Sequence, residues 1–335
     1  VISPYYPQNF QQFTIELANK GITVLGIGQE PYEQLDEPLR NSLTEYFRVD
    51  NLENIDEVKR AAAFLFYKYG PIGRIESHNE YWLELDAALR EQFNVFGAKP
   101  EDLKKTKFKS KMKKLFKKAG VPVVPGAVIK TEADVDQALK EIGLPMIAKP
   151  DNGVGAAATF KLETADDINH FKAEWNHSTV YFFEKFVTSS EICTFDGLVD
   201  KDGKIVFSTT FDYAYTPLDL MIYKMDNSYY VLKDMDPKLR KYGEAIVKEF
   251  GMKERFFHIE FFREGEDYIA IEYNNRPAGG FTIDVYTFAH SLDLYRGYAA
   301  IVAGEEFPAS EFEPQYCLAT SRRANAHYVY SEEEL

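Results

Sequence analysis

Glu260, Glu272, Asn274 and Arg276 are the side chains in this 335-residue sequence whose types and spacing invite chemistry. They lie in residues 258–280, HIEFFREGEDYIAIEYNNRPAGG. Two apolar-rich runs, 256–262 and 268–274, flank a short polar insert, 263–267, that contains a glycine, and this is a β-hairpin pattern. Side chains alternate faces along a strand, so parity decides which of them point together. Parity places His258, Glu260 and Phe262 on one face of the first strand and Ala270, Glu272 and Asn274 on one face of the second. A symmetric five-residue loop would set Glu260 opposite Ala270 and His258 opposite Glu272. The two carboxylates would then sit diagonally, roughly 5–8 Å apart. Two acids and an amide oxygen with no base between them suit a hard cation such as Mg²⁺, which takes oxygen ligands and bridges carboxylates to nucleotide phosphates. A solvent-facing strand with its acids turned outward is the plainer reading of the same hairpin.

Other stretches carry groups of matching chemistry. Lys149 ends an apolar run and precedes Asp151-Asn-Gly-Val-Gly-Ala-Ala-Ala-Thr159. Backbone N–H groups of such a turn, with Gly153 and Gly155, can cradle phosphate, although a flexible hairpin turn has the same composition. Residues 104–118 hold nine lysines. Met112, Leu115, Phe116 and Ala119 fall at i, i+3, i+4 and i+7, so this is read as an amphipathic helix with a solvated lysine face. An apolar run from Val180 ends on Glu184-Lys185-Phe186-Val187, and Glu191 follows a polar insert. Gly26-Ile27-Gly28 resembles the start of a dinucleotide fingerprint, but it lacks the later glycine and is read as turn glycines. Residues 77–81 cap an expected strand, as a helix N-cap, a ligand-facing sheet end, or both. Alternating aromatics at 211–230 are read first as core.

The elements that must position these groups follow from periodicity. In residues 1–100, strands are expected at 1–3, 22–27, 47–49 and 72–76, with helices at 9–19, 55–69 and 80–93, an alternation that argues for a parallel α/β sheet. Further strands are expected at 123–129, 144–150 and 180–187, and helices from Thr131, at 165–175, at 236–250 and at 292–302. Net charge is −14, which argues against nucleic acid or an anionic membrane as a main partner. No apolar run approaches the ~18–20 residues of a membrane span. Two distant cysteines without CxxC spacing fit a reducing, cytoplasmic setting. The sequence opens at Val1 without Met, inside a strand-like segment, so both ends are expected to continue in a longer native protein.

Taken in order, these pieces resemble the ATP-grasp superfamily over essentially the whole chain. Lys109-Ser-Lys-Met112-Lys113, ahead of Ala119-Gly-Val-Pro, is similar to its Asp-Lys-x-x-Met-Arg motif, with Phe108 where the aspartate usually stands. Lys149 with Gly153 and Gly155 matches the second lysine and glycine-rich lid. Glu184-Lys185-Phe186-Val187 and then Glu191 match the adenine hinge, and Glu260 with Glu272-Tyr-Asn274-Asn-Arg276 matches the metal motif. The resemblance implies a mixed α/β and α+β fold: a Rossmann-like pre-ATP-grasp domain at 1–100, then a two-lobed ATP-grasp fold with a lid lobe at 101–186 and a core lobe at 187–335. It implies that Lys109 and Lys149 contact phosphates and that Glu184, Lys185 and Val187 hold adenine. It further implies Glu191 on the ribose, Mg²⁺ or Mn²⁺ on Glu260, Glu272 and Asn274, and Arg276 at the transferred phosphoryl group.

The implied activity is ATP-dependent, ADP-forming ligation of a carboxylate to an amine through an acyl phosphate, with small-molecule substrates. The Asn-Arg-Pro-Ala-Gly-Gly turn looks most like the amino-acid-ligase branch. A carbamoyl-phosphate-synthase-like enzyme acting on bicarbonate and a non-catalytic nucleotide-binding module are the alternatives. A homodimer is among the assemblies the resemblance allows.

Overall fold

A computed structural model describes the chain except residues 153–157, 190, 324–325, 332–333 and 335, and except the side chains of 217, 218 and 221. The expected glycines 153 and 155 therefore lie outside the described residues.

The first hundred residues build a small parallel pair, β1 (Leu25–Gly28) on β2 (Glu45–Arg48), extended by a parallel bridge from Ile2 to Ile27. Helix Ile55–Tyr69 covers it, started by Asn54, whose side chain accepts from the Glu57 amide. Gly26 and Gly28 are structural: a Cβ on Gly28 would meet the Tyr46 hydroxyl at 2.4 Å. The strand expected at 72–76 does not form. The segment meets Ile2 through one backbone bond, Ile2 N–H to Glu76 O, 2.9 Å, and one bond does not make a ladder.

Four antiparallel strands form the second sheet, β3 (Gly126–Ile129), β4 (Met146–Pro150), β5 (Phe160–Leu162) and β6 (Tyr181–Lys185), in the order β3-β6-β4-β5. Helices Glu132–Glu141 and Ala165–Glu174 pack on it. Each begins with a reciprocal cap, Thr131 with Asp134 and Thr164 with Asp167.

The third sheet carries β7 (Ile192–Val199), β8 (Ile205–Thr209), β9 (Phe211–Tyr213), β10 (Ser228–Val231), β11 (Arg255–Glu264), β12 (Asp267–Asn274) and β13 (Cys317–Thr320). Its order is β12-β11-β7-β9-β10-β13, with β8 also on β7. Helices Pro237–Phe250 and Lys109–Lys118 share one of its cores, with Phe116, Phe250, Phe261 and Tyr273 buried together. Helices Gln11–Asn19, Thr282–His290 and Leu294–Val302 fill another.

Helix Pro237–Phe250 lies so close to β7 that a Cβ on Gly243 would fall 2.1 Å from the Phe195 ring. Alanine favours a helix over glycine by about 1 kcal/mol, but overpacking a closed core costs about 1–3 kcal/mol. Gly243→Ala is therefore expected to lower the urea midpoint; a raised midpoint would show that the helix can move away.

The lysine-rich segment differs from the single helix expected. Pro100–Lys107 and Lys109–Lys118 are separate helices, because Phe108 is extended and bridges Asn152. Asp151 ties the break. Its carbonyl accepts from the Lys109 amide (2.9 Å), and its carboxylate accepts from the Ser110 amide (2.7 Å) and hydroxyl (2.8 Å). Asp151 thus starts the second helix from a distant strand end, at the place where Phe108 cannot.

Candidate active site

The hairpin register is the first correction to the sequence reading. Glu264 pairs with Asp267, leaving a two-residue turn through Gly265 at φ 59°, not a five-residue loop. The register then shifts between Glu260 and Phe261, where Ile271 is the extra residue of a bulge. Two consequences follow. Ala270 pairs with Phe261 and is buried in the core, while Glu272 stands directly opposite Glu260 and Asn274 opposite His258. The bulge turns the acids from diagonal neighbours into a facing pair, and it breaks the parity that placed Ala270 beside them.

These residues line a cleft of about 1300 Å³ between the four-stranded and seven-stranded sheets. Glu260, Glu272, Asn274 and Arg276 share it with Lys109, Lys149, Glu184, Lys185 and Val187. The helix break at Phe108 brings Lys109 to the carboxylates, its Nζ 3.7 Å from Glu272 Oε1. Lys149 reaches the cleft from β4, with its Nζ 3.9 Å from Glu184 Oε2. Glu191 is not among the lining residues; its side chain is two-thirds exposed, 3.7 Å from Arg263.

Glu184 is buried with Lys113 Nζ at 2.5 Å from its Oε1. Burial works against its charge, but Lys113 and Lys149 outweigh it and hold its pKa below the usual value. Lys113 is therefore no part of a solvated face: it is a buried cation paired with Glu184. The Lys185 amide is committed to Pro125 O (2.9 Å) and its ammonium to Leu144 O (2.8 Å).

Behind the carboxylates lies a buried polar chain with little local signal in the sequence. His258 Nδ1 is 2.7 Å from Asp196 Oδ1, and its Nε2 is 3.5 Å from Glu260 Oε1. Thr194 and Tyr286 hydroxyls donate to Asp196 Oδ2, and the Tyr213 hydroxyl donates to Glu260 Oε1 at 3.0 Å. Burial would discharge His258, but the two acids more than offset this and raise its pKa to about 10. Tyr213, read as core, is also a cleft residue. Parity alone had placed His258 beside Glu260; Asp196 could be found only through the β7–β11 register, where it pairs with His258.

A histidine whose folded pKa lies above its unfolded value of about 6.5 contributes stability that is full below that pH and is lost as pH rises through about 10. The urea midpoint is expected to fall across this window, and His258→Gln to flatten the fall. Equal slopes in both proteins would contradict the charged pair.

Arg276 is fixed by a residue from the first hundred. Its Nε donates to Glu80 Oε2 at 2.9 Å and its Nη1 to Pro277 O at 2.8 Å. The sequence signal for Glu80 was the cap at 77–81, and Asn79 does start the turn Glu80–Trp82 by accepting from the Tyr81 amide.

Among the described residues no group of three or more His, Cys, Asp or Glu side chains is placed to hold a metal alone. Two facing carboxylates with an adjacent amide fit an ion that draws its remaining ligands from phosphate and water, as Mg²⁺ does. No helix among the described residues is long and apolar enough to cross a membrane.

The ATP-grasp domain family model matches residues 139–284 of the chain. An L-arginine-specific L-amino acid ligase of Bacillus subtilis is 24% identical over 271 residues, 74% of this chain and 64% of that protein. A D-alanine--D-alanine ligase of Acinetobacter baumannii is 31% identical over 84 residues, 25% of this chain and 27% of that one. The chain thus spans less than two thirds of the length of these relatives. In solved structures the fold is shared with phosphoribosylglycinamide synthetase of Anaerococcus prevotii, at TM-score 0.69 and 17% identity over 95% of this chain and 78% of that one. It is also shared with an L-amino acid ligase of Bacillus licheniformis, at TM-score 0.67 and 14% identity over 90% of this chain and 73% of that one.

Proposed function

We propose that the protein is an ATP- and Mg²⁺-dependent ligase that joins a small carboxylate to an amine through an acyl phosphate, releasing ADP. The observation that carries this reading is the facing pair Glu260–Glu272 with two lysines, Lys109 and Lys149, converging on one cleft. Glu260, Glu272 and Asn274 would hold Mg²⁺, which neutralises charge on the β- and γ-phosphate oxygens. Lys109 and Lys149 add positive charge where the phosphates lie. Phosphoryl transfer asks mainly for such positioning and charge stabilisation.

The remaining roles follow from placement. Glu184 orients Lys113 and Lys149 from the hinge, and Val187 offers the base an edge beside Phe186 and Ile147. Arg276, braced by Glu80, presents its other guanidinium edge to the transferred phosphoryl group or the tetrahedral intermediate. His258, held by Asp196, and Tyr213 fix the Glu260 carboxylate. Gly153 and Gly155, which lie outside the described residues, enter the lid role only through the motif. Glu191 enters the ribose role only through the motif. The similarity to amino-acid ligases favours an amino-acid or peptide-like substrate over bicarbonate.

The test is ADP release from Mg·ATP against pools of amino acids, other small carboxylic acids and bicarbonate. Stimulation by a carboxylate pool is the expected result. ATP bound without stimulation by any pool would instead favour a nucleotide-binding module.

A further inference from the structure

The cleft does not end at the carboxylates. Past Tyr213 it continues between β9, β10, β13 and helix Thr282–His290. Phe211, Tyr229 and Val285 are buried beneath this half. Phe281, Phe288 and Leu318 stand at its rim with 70%, 74% and 70% of their surface exposed. Large apolar side chains left open inside a concave site mark a surface that a ligand covers.

The charge distribution is as informative as the apolar one. Every lysine and arginine among the described lining residues, Lys107, Lys109, Lys113, Lys149, Lys185 and Arg276, belongs to the other half or to the boundary between them. In this half the one charged side chain described is Asp219. Its carboxylate already accepts from the Thr216 hydroxyl at 2.7 Å, where Thr216 caps helix Pro217–Tyr223. The polar groups that remain, Asn227, Thr282 and Thr320 among them, are neutral.

We propose that this half of the cleft receives the apolar body, aliphatic or aromatic, of a substrate whose carboxylate lies at Arg276. The inference rests on the ligase reading and narrows it to a substrate class. A second carboxylate on the substrate would find no cation there. A basic side chain would find one acid there, Asp219, whose Oδ2 already accepts from Thr216, and no second charge to complete its pairing, and bicarbonate would leave the apolar walls uncovered. A polar group buried without a partner is strongly disfavoured, and a site discriminates against the wrong group by what it leaves unpaired.

Two measurements on the full chain decide the matter. The first is kcat/KM for ADP release with phenylalanine, leucine and methionine against glutamate, arginine, lysine and bicarbonate. The apolar set is expected to exceed the others by about tenfold or more. Preference for an acidic, basic or inorganic carboxylate would overturn the inference and leave the ligase reading standing. Phe288→Lys and Leu318→Lys change exposed rim positions. Each is expected to raise KM for the apolar carboxylate by about tenfold, and wild-type KM in both would also overturn it.

The second measurement is the melting temperature with the same acids in the presence of Mg²⁺ and the β,γ-imido analogue of ATP. A rise with the apolar acids alone supports the pocket even if no pool releases ADP, in which case the ligase reading falls by itself. No rise and no turnover with the apolar acids overturns the inference.

Discussion

Glu272→Gln is expected to lower carboxylate-dependent ADP release by about 10²–10³-fold, the scale of losing one preorganised electrostatic group. The substitution keeps shape and hydrogen-bonding reach, so the change is one of charge. Glu272 stands opposite Glu260 because the bulge at Ile271 puts it there. With the amide in its place, the proposed metal site would keep a single carboxylate, and the acid 3.7 Å from Lys109 Nζ would lose its charge. Its side chain is about one-third exposed, so the fold is expected to survive. Glu264→Gln, at the exposed end of the same hairpin, serves as the control and is expected to stay within about twofold. Equal rates in wild type and Glu272→Gln would remove the metal assignment.

Glu76→Gln is expected to cost about 3–5 kcal/mol of stability, the range for removing one partner of a buried ionic group. Arg255 Nη1 donates to both Glu76 oxygens at 3.0 Å, and Arg90 Nη2 lies 2.8 Å from Oε1. Arg90 is fully buried and Arg255 is 5% exposed. Burial opposes the Glu76 charge, but the two guanidiniums outweigh it and keep its pKa below the ordinary carboxylate value. Without that charge the guanidiniums repel each other in the interior, with Asp86 left as the nearest acid to Arg90 at 3.8 Å. Asp86 is a poor replacement, since burial lifts its pKa to about 6. Arg255 also donates to Asn275 O at 3.2 Å, beside Asn274 and Arg276. Loss of Glu76 is therefore expected to loosen the site turn as well as the fold. A urea midpoint unchanged from wild type would contradict this account.

The elements most legible in the sequence were those whose local signals agree with their packing. Helix Ile55–Tyr69 and helix Pro237–Phe250 follow from periodicity, caps and closing glycines. The hairpin bearing Glu260 and Glu272 was legible as a hairpin, and so was the convergence of its acids. Its register was not, because a one-residue bulge leaves no mark in an alternating run of apolar and acidic residues. The break at Phe108 was hidden for a related reason. Helical periodicity continues through it, and the cause, Asp151, lies more than forty residues away in sequence. Buried charge escaped the reading most. Lys113 looked like one lysine of nine, and Asp196, Glu80 and Glu76 carried no local sign that a distant cation or histidine would meet them. Pairings of this kind are decided by topology, so they become visible only once strand order is known.

The central claim is an acyl phosphate formed at the Glu260–Glu272 pair. It is tested most directly by incubating the protein with Mg·ATP, a stimulating carboxylate and hydroxylamine in place of the amine, and identifying the nucleotide product. The account predicts hydroxamate with ADP and phosphate in equal amounts. Hydroxamate with AMP and pyrophosphate would mean an adenylate, and the account would be wrong.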